Sequence, residues 1–255
     1  MKKLLNILTK IELKTSTLII ITFAILSGRY RPLFIHLFVA FIHEIGHGIM
    51  AYLLNVRVSR LNILPFGFYL EIDDLEHVHI LKEFLIVLFG PLMYIVNLYL
   101  LHLMFRYDLI SYLLYQQGLE ANIVILIFNL LPIYPLDGHR LLSIILSPFF
   151  TYKKLKKVNL FLSLLSLITM VILAFRSANI IVYFYLAYMQ IYYIIHFKEY
   201  YLSFIVSRMN KKIYKKTKLN TKKDYYRPFQ NVFLYKRKLM DEKEFAMEIL
   251  KQGLK

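Results

Sequence analysis

Cysteine is absent from the 255 residues, which excludes disulfides and thiolate ligands, so any bound metal must be held by His, Asp or Glu. Only 8 glycines and 7 prolines interrupt a chain that is 58% hydrophobic. A soluble domain runs nearer about 45–50% apolar, so the composition points to a membrane protein. Acidic residues are also in short supply, 16 against 32 Lys and Arg, for a net charge of +16. The basic residues gather at the ends of apolar runs and in the C-terminal tail. That distribution fits topology and contact with anionic lipid, and no nucleic-acid partner is expected. A cleavable signal pattern is lacking as well: Met1-Lys2-Lys3 leads into mixed polar sequence, and no small-residue cleavage site follows the first apolar run.

What is present is a series of six apolar runs, roughly Thr15–Ser27, Pro32–Leu54, Phe84–Phe105, Leu109–Leu131, Val158–Phe175 and Asn179–Phe197. The first is short for a bilayer that needs about 20 helical residues, and is extended if Ile11–Lys14 joins it. Gln116, Gln117, Glu120 and Asn122 interrupt the fourth, so its spanning part is expected from near Leu119. With six spans and a cytosolic N-terminus, 28 of the 32 basic residues fall inside, and Arg29, Arg31, Arg106 and Arg176 outside. This asymmetry supports cytosolic N- and C-termini. The expected class is therefore an all-α polytopic membrane protein. A Pro- and Gly-broken apolar stretch, Leu61–Glu71, is too short to span and reads as a re-entrant hairpin. Residues 1–197 form the six-span membrane domain, and 198–255 a small basic cytosolic tail. The tail's first part, to about Lys218, reads as a basic amphipathic helix at the membrane surface. Asp241 and Glu244 resemble a capping box ahead of Phe245–Leu250.

Inside the second run lies His43-Glu44-Ile45-Gly46-His47. Histidines at i and i+4 share one helix face, the spacing two zinc ligands need, and the glutamate between them has the place of a metalloprotease general base. Titratable groups inside a membrane span are expensive and by default mark function. Arg31 and Arg57 bracket the span with Glu44 midway, about 39 Å of helix in all at about 1.5 Å per residue. Water must therefore reach Glu44 through a protein cavity.

A catalytic zinc takes three protein ligands and leaves one position open. The best third ligand is Asp137, in Asn129-Leu130-Leu131-Pro132-Ile133-Tyr134-Pro135-Leu136-Asp137-Gly138. Pro132 and Pro135 end the fourth span and free the chain to turn back. Spacing alone leaves a second reading open, a helix-ending turn with a solvated Asp137 paired to Arg140. Glu76, His77 and His79 are weaker candidates and read as a solvated loop. His36 shares the face of His43 and is a candidate for orienting a ligand. His102, His139 and His196 read as interfacial residues, and Gly90-Pro91 as a packing feature, a kink of the third span or the start of its helical part.

Together these residues resemble the site-2 protease family of intramembrane zinc metalloproteases. The resemblance rests on His43-Glu44-x-x-His47 in a span, Gly90-Pro91 in the next, and Asn129…Pro135-Leu136-Asp137-Gly138 after the fourth. Leu64-Pro65-Phe66-Gly67, the six spans and the length match its sporulation branch, over about residues 1–200. The resemblance implies one Zn2+ ion held by His43, His47 and Asp137, with Glu44 activating water. It implies substrate contacts at Asn129, Pro135 and the hairpin tip Pro65, Phe66 and Gly67. The implied substrate is a membrane-associated protein, the precursor of the sporulation factor sigma-K, whose pro-sequence is removed. The implied setting is the outer forespore membrane facing the mother cell, with inhibitory sporulation membrane proteins as partners. Two departures stand out. The tail is too short for the complete CBS (nucleotide-sensing) domain of such relatives, and His139 stands where they often have a second glycine. Alternative functions are cleavage of a different membrane-tethered regulator, or metal binding without proteolysis; a transporter would show repeated ligand sets, and only one set is present.

Overall fold

A computed structural model describes residues 11–13, 22, 26, 28, 30–64, 67–73, 75–174, 180–210, 216–220, 224–235 and 238–253. The expected first span, 15–27, lies almost entirely outside the described residues. The remaining elements in chain order are β1 (Ile11–Leu13), α1 (Tyr30–Leu53), β2 (Val58–Leu64), β3 (Gly67–Ile72), α2 (Ile80–Arg106), α3 (Tyr112–Leu130) and α4 (Asp137–Leu146). Then come α5 (Tyr152–Ala174), α6 (Ile180–Ile195), α7 (Phe197–Asn210), β4 (Thr217–Asn220), β5 (Gln230–Tyr235), β6 (Lys238–Met240) and α8 (Glu242–Gly253). Among the described residues, four helical segments are long and apolar enough to cross a membrane: Arg31–Leu53, Ile80–Arg106, Tyr112–Leu130 and Tyr152–Leu173. Val182–Ile195 is a shorter apolar helix.

The expectation of an all-α chain is corrected by two three-stranded sheets. Ile11–Leu13, expected to extend the first span, is instead a strand, pairing in parallel with Leu61–Ile63 of β2. The hairpin expected at 61–71 runs somewhat wider, with Leu61 opposite Leu70 and Leu64 opposite Gly67 in an antiparallel ladder. Its tip residues Pro65 and Phe66 lie outside the described residues. A strand pair here follows from Pro65 and Gly67, which deny the segment a helix, and from its β-branched and aromatic residues.

The chain divides into two compact units, Met1–Leu75 with Phe84–Leu130, and Glu76–Glu83 with Leu131–Lys255. In the first, α1 packs on α3 and on the hairpin, where the Phe41 and Phe68 rings sit 5.2 Å apart. α1 ends in a Schellman motif: Val56 N–H donates to the Ala51 carbonyl (2.8 Å) and Asn55 N–H to that of Tyr52 (3.1 Å). Asn55 takes the left-handed conformation this ending needs, at φ 55°. α2 runs unbroken through Gly90-Pro91 rather than starting there, and α3 is helical from Tyr112 rather than from near Leu119.

The second unit holds α4 to α8 and the sheet β4-β5-β6, with β4 parallel and β6 antiparallel to β5. The tail is a folded element. Tyr201, Phe204 and Ile205 of α7 share a core with Tyr152, Tyr225, Phe233 and Phe245, so the α7 face expected at the membrane surface packs inward. Phe233 stacks on Phe245 at 3.8 Å, and Tyr152 on Phe204 at 4.0 Å. The Asp241–Glu244 capping box forms, with Glu244 N–H donating to Asp241 (2.8 Å) and Asp241 N–H to Glu244 (3.3 Å). Glu76 does not sit in a solvated loop: it pairs with Lys156 at 3.0 Å. Arg227 pairs with Glu83 and donates to the Glu76 carbonyl at 2.8 Å. Burial alone would push the Glu76 carboxyl up, but Lys156, Arg227 and Arg140 together draw it far below the usual carboxylate range.

Candidate metal centre

α1 is a helix because apolar surroundings leave its backbone N–H and C=O groups no partners but one another, with Pro32 in its first turn where no N–H is missed. One turn of it presents His43 and His47 together, and their Nε2 atoms lie 3.2 Å apart. Both rings are buried, at 6% exposure each. The His47 Nδ1 sits 2.8 Å from the Ile86 carbonyl of α2. A carbonyl only accepts, so Nδ1 carries the proton and Nε2 presents its lone pair.

α2 can approach this closely because of two glycines. A Cβ on Gly90 would lie 2.2 Å from the Cε1 and Nε2 of His47, and one on Gly46 would lie 2.6 Å from the Phe89 carbonyl oxygen. The Gly90-Pro91 step thus makes the floor on which the imidazole rests.

Glu44 lies between the histidines and is half-buried. Its Oε2 accepts from the Leu70 N–H of β3 at 2.9 Å, so the hairpin reaches the carboxylate. His43, Glu44 and His47 each bring a ligand atom within 4.8 Å of the others, the one such group among the described residues. The donor set suits zinc: tetrahedral coordination at about 2.0–2.1 Å places two imidazole nitrogens about 3.3 Å apart, close to the 3.2 Å seen.

Beside His43 is a small cavity, with room for about one water molecule, lined in part by Tyr94, Asn97, Asn122 and Pro91. Asn122, in sequence only an interruption of the fourth run, is buried and donates to the Tyr94 carbonyl at 3.1 Å. The sequence signal for Asn97 and Asn122 is that they are polar groups at membrane depth.

Asp137 opens α4 in the second unit, where an acidic residue in the first turn suits the helix dipole. Pro135 follows Tyr134 through a cis peptide bond. Asn129, at the end of α3, donates to the Ile125 carbonyl of its own helix at 3.0 Å. Gly67 takes φ +152°, a conformation open to glycine, and its absent Cβ would lie 3.6 Å from that of Ala40. The Nδ1 of His36 bonds the Pro32 carbonyl of its own turn at 2.8 Å. His139 is not interfacial but buried, edge-on to Tyr134 and Tyr193 with ring centres 5.5 and 5.9 Å away.

No protein-family profile matches the chain. It is 31% identical over 164 residues to stage IV sporulation protein FB of Bacillus subtilis, covering 64% of this chain and 57% of that protein. It is 32% identical over 157 residues to a zinc metalloprotease of Methanocaldococcus jannaschii, covering 60% of this chain and 45% of that one. The chain thus spans about half the length of the curated relatives it matches. Its fold is similar to the solved site-2 protease from Methanocaldococcus jannaschii, at TM-score 0.53 and 28% identity, over 71% of this chain and 88% of that one. The paired histidines thus lie on an apolar helix within a largely helical fold similar to that of the solved site-2 protease. In sequence and fold the chain is similar to site-2 proteases, and its apolar helices mark it as an integral membrane protein.

Proposed function

We propose that this chain is an intramembrane zinc metalloendopeptidase, in which His43, His47 and Asp137 hold one zinc ion and Glu44 is the general base. The observation that carries the reading is the pair of Nε2 atoms 3.2 Å apart, with His47 fixed by the Ile86 carbonyl and the Glu44 carboxylate on the same turn. When bound, zinc supplies Lewis acidity, acidifying water and polarising a carbonyl. Glu44 takes the proton of the attacking water and returns it to the leaving amine. The Leu70 N–H holds the carboxylate on one side, which restricts its rotamers. Gly90 and the Ile86 carbonyl hold the His47 ring, and the buried wall around His43 keeps bulk water out.

We take the topology as six spans with both termini in the cytosol, residues 1–197 as the protease domain and 198–255 as its extension. In that arrangement the β2–β3 hairpin is re-entrant, and Pro65, Phe66 and Gly67 at its tip, with Asn129 and Pro135, contact the substrate. β3 is the outer strand of its sheet, so an unwound substrate segment has an edge to pair with. The likeness to stage IV sporulation protein FB supports a sporulation role. It favours the sigma-K precursor as substrate at the outer forespore membrane, with inhibitory sporulation membrane proteins as partners and anionic lipid at the basic tail.

The test is co-expression with the membrane-tethered precursor, comparing wild type with Glu44→Gln. Zinc stays bound in the variant and cleavage disappears. Cleavage that survives Glu44→Gln refutes the enzyme assignment. A precursor left whole while another tethered regulator is trimmed refutes the substrate assignment alone.

A further inference from the structure

Six residues ahead of α4, between Leu131 and Leu136, the chain carries peptide groups in neither helix nor strand. Local turns satisfy some of them: Ile133 N–H donates to the Leu131 carbonyl (2.8 Å), Leu136 N–H to that of Ile133 (2.8 Å), and His139 N–H to that of Leu136 (3.2 Å). Pro132 and Pro135 have no N–H. Tyr134 is different, because both its peptide groups are taken by side chains from other helices. Its N–H donates to the Ser163 hydroxyl of α5 at 2.9 Å, and its carbonyl accepts from the Gln190 amide of α6 at 2.8 Å. The Ser163 hydroxyl in turn donates to the Gln190 carbonyl oxygen at 2.9 Å.

These bonds close a ring. Ser163 accepts once and donates once; Gln190 accepts once and donates once; both main-chain groups of Tyr134 are met. Ser163 is 0% and Gln190 2% exposed, so neither bond competes with water. In an apolar surround a peptide group without a partner costs several kcal/mol, so the ring leaves Tyr134 one low-energy position. The Tyr134 side chain adds to this, lying against the Tyr193 ring of α6 at 4.7 Å. Three residues further on, after Pro135 with its fixed φ and one turn bonded at both ends, is Asp137.

We infer that Ser163 and Gln190 are positioning residues for the third metal ligand: they anchor Tyr134 to α5 and α6, and through the short Pro135–Leu136 link set where the Asp137 carboxylate lies. The inference rests on the reading of Asp137 as a ligand. It gives the last two apolar helices, which supply no ligand themselves, a part in placing Asp137. It also explains a glutamine at mid-helix in an apolar run, where a polar side chain needs a reason.

The experiment uses the full chain in detergent, loaded with cobalt in place of zinc. The visible cobalt bands report ligand number and geometry independently of proteolysis, and zinc affinity is measured by chelator competition. Asp137→Asn changes the bands if Asp137 is a ligand. Gln190→Leu and Ser163→Ala then shift them too and weaken zinc binding about tenfold or more, as loss of an outer-shell partner does. Gln190→Glu restores the wild-type spectrum, since a buried carboxyl stays neutral and keeps one donor and one acceptor. Thr169→Val, on the helix of Ser163 but bonded to the Leu165 carbonyl of its own turn (2.9 Å), changes nothing. Ser163→Ala removes a single oxygen and serves if Gln190→Leu does not accumulate. Wild-type bands and zinc affinity in both Gln190→Leu and Ser163→Ala, with altered bands in Asp137→Asn, overturn the inference. Unchanged bands in Asp137→Asn overturn the ligand assignment itself.

Discussion

Gly90→Ala is the smallest change that should disable the metal centre without touching a ligand. The added Cβ overlaps the Cε1 and Nε2 positions of the His47 ring and lies 2.9 Å from its Cδ2. Non-bonded carbons settle at about 3.5–4.0 Å, so the ring must retreat by roughly 1 Å or more. A zinc ligand tolerates only about 0.2 Å. The ring therefore cannot clear the methyl group and keep both its 2.8 Å bond to the Ile86 carbonyl and its 3.2 Å spacing to His43. Zinc affinity should fall by about 10–100-fold, the range seen when a ligand loses its support.

Gly48→Ala is the matched control, two residues from Gly46 on the same helix. Its Cβ would meet only the Leu70 Cδ2, at 3.3 Å, the far end of a flexible side chain. Removing a mid-helix glycine stabilises by about 0.5–1 kcal/mol, so this variant should bind zinc as wild type and melt no lower. The assay is chelator-competition zinc affinity on detergent-purified protein, with thermal unfolding on the same samples. Wild-type zinc affinity in Gly90→Ala would refute the reasoning, because the imidazole would then have room the structure does not give it. A loss in Gly48→Ala as large as in Gly90→Ala would refute it equally, by showing that any methyl group on these helices has the effect.

Other expectations follow from the second unit and the helix ends. Arg227→Met strands the Glu83 carboxylate, 2% exposed, and should destabilise by about 3–5 kcal/mol in thermal unfolding; adding Glu83→Gln should recover part of the loss. Glu76 holds its carboxyl well below the usual range in the folded state, with Lys156 and Arg227 opposing burial. The unfolded chain takes up that proton at about pH 4.3 and the folded chain does not, so this stability is complete above that pH and lost as the pH falls below it. Glu76→Gln should flatten that acid limb of a melting-temperature profile; an unchanged limb would show that Glu76 does not carry it. Asn55→Val puts a β-branched residue at φ 55° and should lower stability by roughly 1–2 kcal/mol, whereas Asn55→Gly should not.

The pairing of His43 with His47 is legible in the sequence because helix periodicity is a local property. Residues four apart on a helix share a face whatever the rest of the chain does, so His43 and His47 had to meet once Tyr30–Leu53 was helical. The same holds for the Asp241–Glu244 box, where both partners lie within one turn. The hairpin was legible for a related reason: Pro65 and Gly67 forbid a helix, and a short apolar segment then has few alternatives.

What stayed hidden depends on distance along the chain. Nothing near Ile11 marks it as a strand, because its partner Leu61 lies fifty residues away and a short apolar run fits helix or strand equally well. The first part of the tail looked like a membrane-surface helix because its charge is a sum over residues, whereas its fold depends on which few are buried. Arg208 and Arg227 are among the least exposed residues of the molecule, at 4% each, next to Glu242 at 2%. A buried cation held by a carboxylate and a surface cation facing lipid contribute identically to a net charge of +16. The aromatic residues were the better guide. Tyr201, Phe204, Tyr225, Phe233 and Phe245 recur through a segment otherwise rich in lysine, and so many large apolar rings require a core of their own. The same weighting applies to Gln190. In a soluble helix a single glutamine says little, but in an apolar run the carbonyl and the NH2 of its amide each need a partner, so its presence is evidence of a bond to irregular backbone nearby, and the proline-broken stretch before Asp137 is the segment with peptide groups to offer.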